Sequence, residues 1–416
     1  MSGREPPPFT VQRLAWSDEE LGSIELPKCP LHIRSGFGSG LSRPAGSDPA
    51  TLWAICDRGP NLKIKTLVKR YGLEELEKLR DLDGAKVMPR LDLGPALAEL
   101  RIYEDRVELV RALRITGSQG ASVSGLPVPE GPHVECEPAL DLAGNILEPD
   151  PSGMDTEGLA ALADGGFWVS DEFGPSLVRL DSGGRVLRRL VPAGTDLDGA
   201  AYPVQATLPA IAGRRKLNRG FEAIAVSADE KWLFVAFQSP LAHPDEETHE
   251  QARHVRIWQL DLATEQVAAQ YIYPLDEPRS FLRDSIKGEV KWSDLKVSEL
   301  AWAAPDILLV LERGSETTRI YRIELRDELA APAAHFDIGT RPTLEELSTR
   351  GELDLPVVEK MLLFDSDSAP EVAADLEGMA ILSDSELLLV NDNDFGVEGA
   401  ETSYWKVRLP DRTLRG

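Results

Sequence analysis

Four glutamates recur along the chain, each at the start of a short apolar segment and each followed by a second polar cluster. The intervals run from Glu157 to Asp171, Glu222 to Gln238, Glu299 to Glu312 and Glu377 to Asn391, which are 14, 16, 13 and 14 residues. Carboxylates held close together repel one another unless they are protonated or bind a cation. If the fold brings these glutamates together, the repeat predicts a cation site.

Each repeat has the pattern of two antiparallel β-strands joined by a short turn. In the clearest copy, Asp155-Thr-Glu-Gly precedes an apolar run, a turn follows at Ala163-Asp-Gly-Gly, and a second apolar run ends at Asp171 and Glu172. Such a turn is typical of a β-hairpin. The start of the first strand then lies beside the end of the second, which places Glu157 near Asp171 and Glu172. A fifth copy, with strands near residues 40–43 and 52–59, lacks the acid.

Repeated β-units of this kind predict an all-β fold, a β-propeller, because one such sheet cannot bury its faces alone. Five blade units are recognisable, which allows five or six blades. In a propeller the first strand of every blade lines the central channel, so the four glutamates are expected around one axis. The alternative interpretation is that they end strands and face solvent.

We interpret residues 1–10 as a disordered N-terminal tail and residues 11–416 as a single propeller domain. The last repeat is one strand short, and an N-terminal strand near Val11–Trp16 is expected to complete it and remove a free edge. Leucines at i, i+3 and i+6 in Leu73–Leu79 predict a short amphipathic helix, inserted between strands of the first blade.

The composition indicates a soluble protein with a large core. The chain has 416 residues, 42% hydrophobic content and a net charge of −25. This charge excludes nucleic acid and anionic membranes as expected partners, and it disfavours polyanionic substrates unless metal ions or local arginines invert the field. The three cysteines have no metal-type spacing and are expected to be reduced. The polar N-terminus shows no signal-peptide pattern, which predicts a cytoplasmic location.

The rim of the predicted channel offers oxygen ligands and neither histidine nor cysteine. Calcium and magnesium prefer oxygen donors, so the expected cofactor is Ca²⁺ or Mg²⁺ and not zinc. The predicted metal ligands are Glu157, Glu222, Glu299 and Glu377. Arginines recur beside the same positions, at Arg58, Arg219 and Arg313. They can bind phosphate or carboxylate groups, or they can neutralise neighbouring glutamates.

Several motifs together are similar to those of a known family. They are, in chain order, Asp155-Thr-Glu-Gly, Asn218-Arg-Gly-Phe-Glu222, Gln238-Ser-Pro-Leu, Tyr271-Ile-Tyr-Pro-Leu, Leu309-Val-Leu-Glu312-Arg313, Asp375-Leu-Glu377-Gly-Met and Asn391-Asp-Asn-Asp-Phe. The chain resembles the phytase-like domain family, described as "esterase-like activity of phytase", from about Gly38 to Leu409. The resemblance implies a β-propeller, and it supplies no catalytic residues.

The first functional hypothesis is a metal-dependent hydrolase of a phosphoester or carboxylic ester at the channel mouth. Asp171 or Glu172 would act as general base, and Arg219 or Arg313 would stabilise developing negative charge. The predicted substrate-binding residues are Arg58, Gln238, Glu312, Asn391 and Asp392. The expected partner is a small molecule, with a phosphorylated one among the alternatives. The second hypothesis is a non-catalytic propeller that binds a ligand or protein, with the acids in structural salt bridges to the arginines.

Overall fold

A computed structural model describes residues 6–131, 135–349 and 353–414. Strands are the main regular structure of the described chain, and they are numbered β1 to β26 in chain order. Residues 1–5 of the predicted tail lie outside the described part. Within it, the Phe9 ring packs edge-on against Phe364 with ring centroids 4.9 Å apart, and Thr10 already belongs to β1. The end of the predicted tail is therefore packed against the domain.

Five sheets of four or five strands account for most of the strands. Sheet I contains β4 (Gly40–Ser42), β5 (Thr51–Ile55), β8 (Ala96–Ile102) and β9 (Val107–Arg114). Sheet II contains β11 (Thr156–Ala161), β12 (Phe167–Asp171), β13 (Ser176–Leu180), β14 (Val186–Pro192) and β15 (Val204–Leu208). Sheet III contains β16 (Phe221–Val226), β17 (Trp232–Phe237), β18 (His254–Asp261) and β19 (Gln266–Pro274). Sheet IV contains β20 (Lys296–Ala304), β21 (Ile307–Arg313), β22 (Thr318–Glu324) and β23 (Lys360–Asp365). Sheet V contains β24 (Leu376–Ile381), β25 (Glu386–Asn391), β26 (Tyr404–Arg408) and β1 (Thr10–Leu14).

Two small sheets complete the strands of the described chain. One pairs β2 (Glu20–Ile24) with β3 (Leu31–Arg34), and the other joins β6 (Leu62–Lys63), β7 (Lys86–Val87) and β10 (Ala139–Leu140).

The first strands of the five large sheets contact one another in a closed ring. Going around it, β4 contacts β11, β11 contacts β16, β16 contacts β20, β20 contacts β24, and β24 returns to β4. Within sheets I, III and IV the strands follow chain order outward, and every pair is antiparallel. This is the propeller-like arrangement that the repeats predict.

The N-terminal strand completes sheet V. β1 pairs antiparallel with β26, from Thr10 opposite Arg408 to Leu14 opposite Tyr404. The predicted N-terminal strand is thus confirmed, and β26 has a partner on both edges.

Burial on both faces of a sheet explains why the inner strands are almost continuously apolar. All five residues of β12 are buried, because sheet II packs between its two neighbours in the ring. Aromatic side chains fill the corresponding space in sheet III, where the ring centroids of Phe221 and Phe237 are 4.7 Å apart and those of Phe237 and Trp258 are 5.1 Å apart. Contiguous strands buried on both faces need this continuous apolar pattern, in contrast to the alternating pattern of a half-exposed sheet.

The insertion in sheet I lies between β5 and β8 and is helical. It comprises the short α-helix α1 (Ile64–Thr66), a π-helical turn (Leu67–Tyr71) and a 3₁₀ helix (Glu74–Leu79). The amphipathic segment predicted at Leu73–Leu79 is therefore 3₁₀-helical, with Leu76 buried.

The other helices are short. They are the α-helices α2 (Glu246–Gln251), α3 (Leu282–Lys287) and α4 (Leu344–Thr349), and the 3₁₀ helices Ala210–Arg214, Pro278–Ser280, Trp292–Asp294, Asp327–Leu329, Ala333–Phe336, Ser366–Ser368 and Asp394–Gly396. Among the described residues, no helix has the length and apolar character needed to cross a membrane. The three cysteines, Cys29, Cys56 and Cys136, are free thiols, as the sequence predicts.

Candidate functional site

A β-bulge near the start of four of the first strands places one side chain per strand at the channel. The pairing register shifts between Thr156 and Leu159, Phe221 and Ala223, Val297 and Glu299, and Leu376 and Gly378. The bulged residues are therefore Glu157, Glu222, Ser298 and Glu377. A bulge adds one residue to a strand and re-aims the side chain at that point. In sheet I, Ser39 takes the corresponding place, just before Gly40, the first paired residue of β4.

The predicted metal ligand Glu299 lies one residue beyond the bulge and has another role. Its two carboxylate oxygens accept hydrogen bonds from the backbone N–H groups of Leu41 and Leu300, each at 3.0 Å, and the side chain is fully buried. Since a one-residue shift turns a strand side chain to the opposite face, Ser298 faces the channel in its place. Glu299 thus ties β20 to β4, and it is not part of the carboxylate group described next.

Three carboxylates form the acidic centre of the site. Oxygen atoms of Asp155, Glu157 and Glu172 all lie within 4.8 Å of one another. Burial raises the pKa of Glu157 well above its ordinary value, and the charges of Glu222 and Asp155 raise it further. Burial, followed by the charge of Asp155, raises the pKa of Glu172 to about 7. The Oε1 atom of Glu172 is buried without a hydrogen-bond partner among the described residues.

Asp155 is a site residue that the sequence predictions omit. It lies two residues before Glu157, as Asp375 lies two residues before Glu377, so the repeated Asp-x-Glu-Gly pattern carried the signal. Asp155 is fully buried, because the sheets on either side enclose the start of β11.

Arg58 holds the acidic centre in place. Its Nη2 atom lies 2.5 Å from Asp155 Oδ2 and 2.5 Å from Asn218 Oδ1, and its Nη1 atom pairs with Glu137. The guanidinium also stacks on the ring of Phe173, 4.5 Å from its centroid. Because Arg58 is only 4% exposed and faces these partners, it orients the carboxylates, and the prediction that it contacts substrate is not supported.

Asp171 is part of a structural ion pair. It pairs with Arg189, and both side chains have no exposed surface. Asp171 also accepts hydrogen bonds from the backbone N–H of Asp155 at 2.8 Å and from the Ser176 hydroxyl at 2.9 Å. These contacts explain Asp171 as an anchor within sheet II. Glu172, which has an unpartnered oxygen, stays the predicted general base.

Sheets III to V contribute cations and the two remaining channel glutamates. Arg313 donates to Ser298 Oγ at 2.9 Å and to Asp375 Oδ1 at 2.5 Å, and it pairs with Glu377. Burial raises the pKa of Glu377 to about 7, although Arg313 opposes this shift. Arg313 and Glu377 therefore form an ion pair at the channel. This agrees with the alternative that the arginine neutralises a neighbouring glutamate.

Glu222 and Gln238 form a direct hydrogen bond at the channel. Gln238 Nε2 donates to Glu222 Oε2 at 2.6 Å, and the Ser298 hydroxyl donates to Glu222 Oε1 at 3.3 Å. Burial raises the pKa of Glu222 well above its ordinary value, with Glu172 the largest charge contribution. The Oε1 atom of Gln238 is buried and has no partner in the described chain, so Gln238 remains able to accept a hydrogen bond from a ligand.

Two predicted substrate-binding residues lie elsewhere. Glu312 is buried in a separate cluster, where it accepts from the Tyr273 hydroxyl and from Lys360 Nζ, each at 2.6 Å. Asn391 Oδ1 accepts from the backbone N–H and the hydroxyl of Ser403, at 2.8 and 2.6 Å. Each residue precedes a channel residue, Arg313 or Asp392, and strand alternation turns neighbouring side chains to opposite faces.

Asp392 belongs to a second acidic group at the same mouth, together with Asp57 and Asp394. Burial raises the pKa of Asp392 well above its ordinary value, and Asp57 and Asp394 are the largest charge contributions. Asp392 Oδ1 accepts from the backbone N–H of Asn393 at 2.7 Å. The mouth therefore has an acidic side, built mainly from sheets I, II and V.

The acidic centre fits a hard cation. Calcium and magnesium take carboxylate oxygens as ligands, and Asp155, Glu157 and Glu172 supply such atoms at mutual distances that one ion can span. The unpartnered Oε1 of Glu172 indicates that the group takes a ligand, the ion or a water bound to it, because a buried polar atom without a partner is costly. Of the four predicted metal ligands, the structure places only Glu157 in this group.

The ring of sheets with acids at its mouth defines a propeller-like protein, and comparison with known proteins shows which family it is. Residues 34–395 match the phytase-like family, described as "esterase-like activity of phytase", and the chain belongs to this family.

A curated relative from Arthroderma benhamiae, named "Uncharacterized secreted protein", is 26% identical over 326 residues, which cover 68% of this chain. The match covers 60% of that protein, so the chain spans less than two thirds of its relative's length. Because this relative is secreted, the prediction of a cytoplasmic location is wrong.

Similar solved structures include an aldose sugar dehydrogenase from Streptomyces coelicolor, with 11% sequence identity and a TM-score of 0.33 over 97% of this chain and 99% of that one. Another is a gluconolactonase from Xanthomonas campestris, with 10% identity and a TM-score of 0.36 over 98% of this chain and 99% of that one.

Proposed function

We propose that the protein is a secreted, metal-assisted hydrolase of an ester, with its active site at the mouth of a five-bladed propeller channel. The observation that carries this proposal is the state of Glu172. Its side chain is buried beside Asp155 and Glu157, one of its oxygens is unpartnered, and its pKa is raised to about 7. A carboxylate with a pKa near the working pH is suited to accept and return a proton.

Asp155 and Glu157 would hold Ca²⁺ or Mg²⁺, and Arg58 fixes Asp155 for this task. The ion, when bound, would polarise the ester oxygen and lower the pKa of an attacking water. Glu172 would accept the proton of that water at its free Oε1 atom. Arg219 would stabilise negative charge that develops on the ester, since its Nη1 atom is buried without a protein partner in the described chain.

The secreted location rests on the relative from Arthroderma benhamiae. The five-bladed count rests on the five large sheets and the closed ring of their first strands. The substrate would be a small molecule, and the net charge of −25 disfavours nucleic acid and anionic membranes as partners.

A specific observation favours the second candidate function, a non-catalytic propeller that binds a ligand. Arg58 and Arg313 both pair with channel acids, as that hypothesis requires. In such a protein the acids would be structural, and added metal would not stabilise it.

Thermal unfolding of EDTA-treated protein with added calcium or magnesium separates the two functions. A ligand at 100 times its Kd stabilises the native state by about 2.7 kcal/mol, and we expect a stabilisation of this order for the wild type. Glu157→Gln should abolish it and should abolish hydrolysis of 4-nitrophenyl phosphate and 4-nitrophenyl acetate. Glu108→Gln is the matched control, because Glu108 pairs with Arg106 at the surface. A wild type with neither metal response nor turnover would reject the hydrolase and favour the binding protein.

A further inference from the structure

The cations of the channel mouth are gathered opposite its acids. Arg219, Lys296 and Arg313, here the cationic trio, come from the segments around the first strands of sheets III and IV and from the end of β21. The backbone holds these positions together: Lys296 lies opposite Arg313 in the β20–β21 pair, and the Gln238 backbone bonds to Gly220 and Val297, the residues next to Arg219 and Lys296. Burial lowers the pKa of Lys296, and Arg313 and Arg219 are the next largest causes. Burial likewise lowers the pKa of Arg219, and Arg313 adds to this.

Two members of the trio lack an ion-pair partner. Arg313 is neutralised by Asp375 and Glu377. In contrast, within residues 6–131, 135–349 and 353–414, no carboxylate oxygen lies within ion-pair distance of the Arg219 or Lys296 side chains, and Arg219 Nη1 is buried without any hydrogen bond. Both side chains are half-buried, and a cation that is partly removed from water without an ion-pair partner is unfavourable. A bound anion would therefore stabilise both charges.

The nearest acids do not neutralise Arg219 and Lys296. Glu172 and Glu222 are the strongest opposite charges acting on Arg219, but neither places an oxygen within ion-pair distance of it, and Glu172 already lies 3.8 Å from Arg58 Nη2. Glu222 is also already bonded to Gln238 and Ser298. The chain as a whole has a net charge of −25, but the trio makes the local potential positive. This local positive potential would attract an anion.

We propose that Arg219 and Lys296, with Arg313 behind them, form the subsite for a tetrahedral oxyanion, the phosphate or sulfate group of the ester. A guanidinium donates to two oxygens of one anion and an ammonium donates to a third, and a tetrahedral group offers these three acceptors where a carboxylate offers two. This proposal rests on the proposed function for its substrate role, and it makes an independent statement about anion binding.

The test measures binding of inorganic phosphate, sulfate and acetate to EDTA-treated protein by isothermal titration calorimetry at constant ionic strength. We expect phosphate or sulfate to bind the wild type more tightly than acetate. Arg219→Gln and Lys296→Met should each weaken that binding by about tenfold or more, the scale of one charge-assisted hydrogen bond. Arg111→Gln is the control, because Arg111 lies on the outer strand of sheet I and pairs there with Glu99. This variant should leave anion binding unchanged.

Stability provides a second readout that does not depend on a ligand. Because Lys296 lies among like charges without an ion pair, Lys296→Met should raise the Tm of the ligand-free protein, whereas loss of a structural lysine would lower it. Equal phosphate binding by wild type and both variants, tighter binding of acetate than of phosphate, or a lower Tm for Lys296→Met would each overturn the subsite. Phosphate binding without ester turnover under any metal would support the subsite and reject the proposed function. Ester turnover without anion binding would support the proposed function and reject the subsite.

Discussion

Replacing Asp171 and Glu172 one at a time should change the stability of the protein in opposite directions. The two carboxylates are neighbours in sequence and both are buried, but only Asp171 has a complete set of partners. It pairs with Arg189, which also donates to Ser176 Oγ at 2.8 Å and to Tyr202 Oη at 3.0 Å. Glu172 has an unpartnered oxygen and faces Asp155.

The magnitude for Asp171→Asn follows from the broken ion pair. The substitution removes the negative charge and leaves Arg189 fully buried without compensation. Breaking a buried pair in this way costs about 3–5 kcal/mol. We expect a loss of this order in the free energy of unfolding.

The magnitude for Glu172→Gln follows from the raised pKa. In the folded protein the pKa rises from 4.5 to about 7, which corresponds to about 3 kcal/mol when the group is fully ionised. Between these two pH values the folded protein binds more protons than the unfolded chain, so the stability of the wild type falls as the pH rises. Glutamine does not titrate. The variant should therefore gain stability relative to wild type across this window and keep the full gain above pH 7.

The assay is urea unfolding of EDTA-treated wild type and both variants at pH 5 and pH 8, with Glu108→Gln as a surface control. Asp171→Asn should be destabilised at both pH values. Glu172→Gln should be more stable than wild type at pH 8, with a much smaller difference at pH 5. A Glu172→Gln variant that is destabilised as much as Asp171→Asn would refute the reasoning, because the ion pair of Glu172 with Arg58, at 3.8 Å, would then outweigh the cost of its burial.

Two further substitutions separate structural residues from the metal site. Glu299→Ala leaves the backbone N–H groups of Leu41 and Leu300 unsatisfied and should lower the free energy of unfolding by about 1–3 kcal/mol for each. The calcium-dependent rise in Tm should be retained. Loss of this metal response would show that Glu299 is a metal ligand. Asn391→Ala should lower stability by a similar amount through its lost bonds to Ser403 and leave the KM for ester substrates unchanged; a raised KM would show that Asn391 contacts substrate.

The repeated acid before an apolar run was sufficient to predict the ring of sheets, because strand periodicity and turn chemistry are local properties of the sequence. The bulge register was harder to predict, since the string Val297-Ser-Glu299 presents the acid one residue later than the other repeats. The interval from Glu299 to Glu312 is 13 residues, whereas Ser298 lies 14 residues before Glu312, as Glu157 lies 14 before Asp171. That single-residue difference separates a channel residue from a buried backbone anchor.

The contacts that orient the acidic centre could not be predicted from local patterns. Arg58 is 79 residues from Glu137 and 160 residues from Asn218 in the chain, and only the closed ring brings them together. The sequence also gives no sign of which carboxylates have partners, so Asp171 and Glu172 had equal standing as bases. Their difference arises from Arg189 on β14, which is fixed by the packing of sheet II.

The pairing of β1 with β26 joins the first described strand of the domain to the last. Sheet V therefore cannot be completed until β1 has paired with β26. Until then the edge of β26 stays open, and an open edge readily accepts a strand from another molecule. Deleting residues up to Leu14 removes β1 and leaves the edge of β26 open, so the variant should associate through this edge, which size-exclusion chromatography would detect.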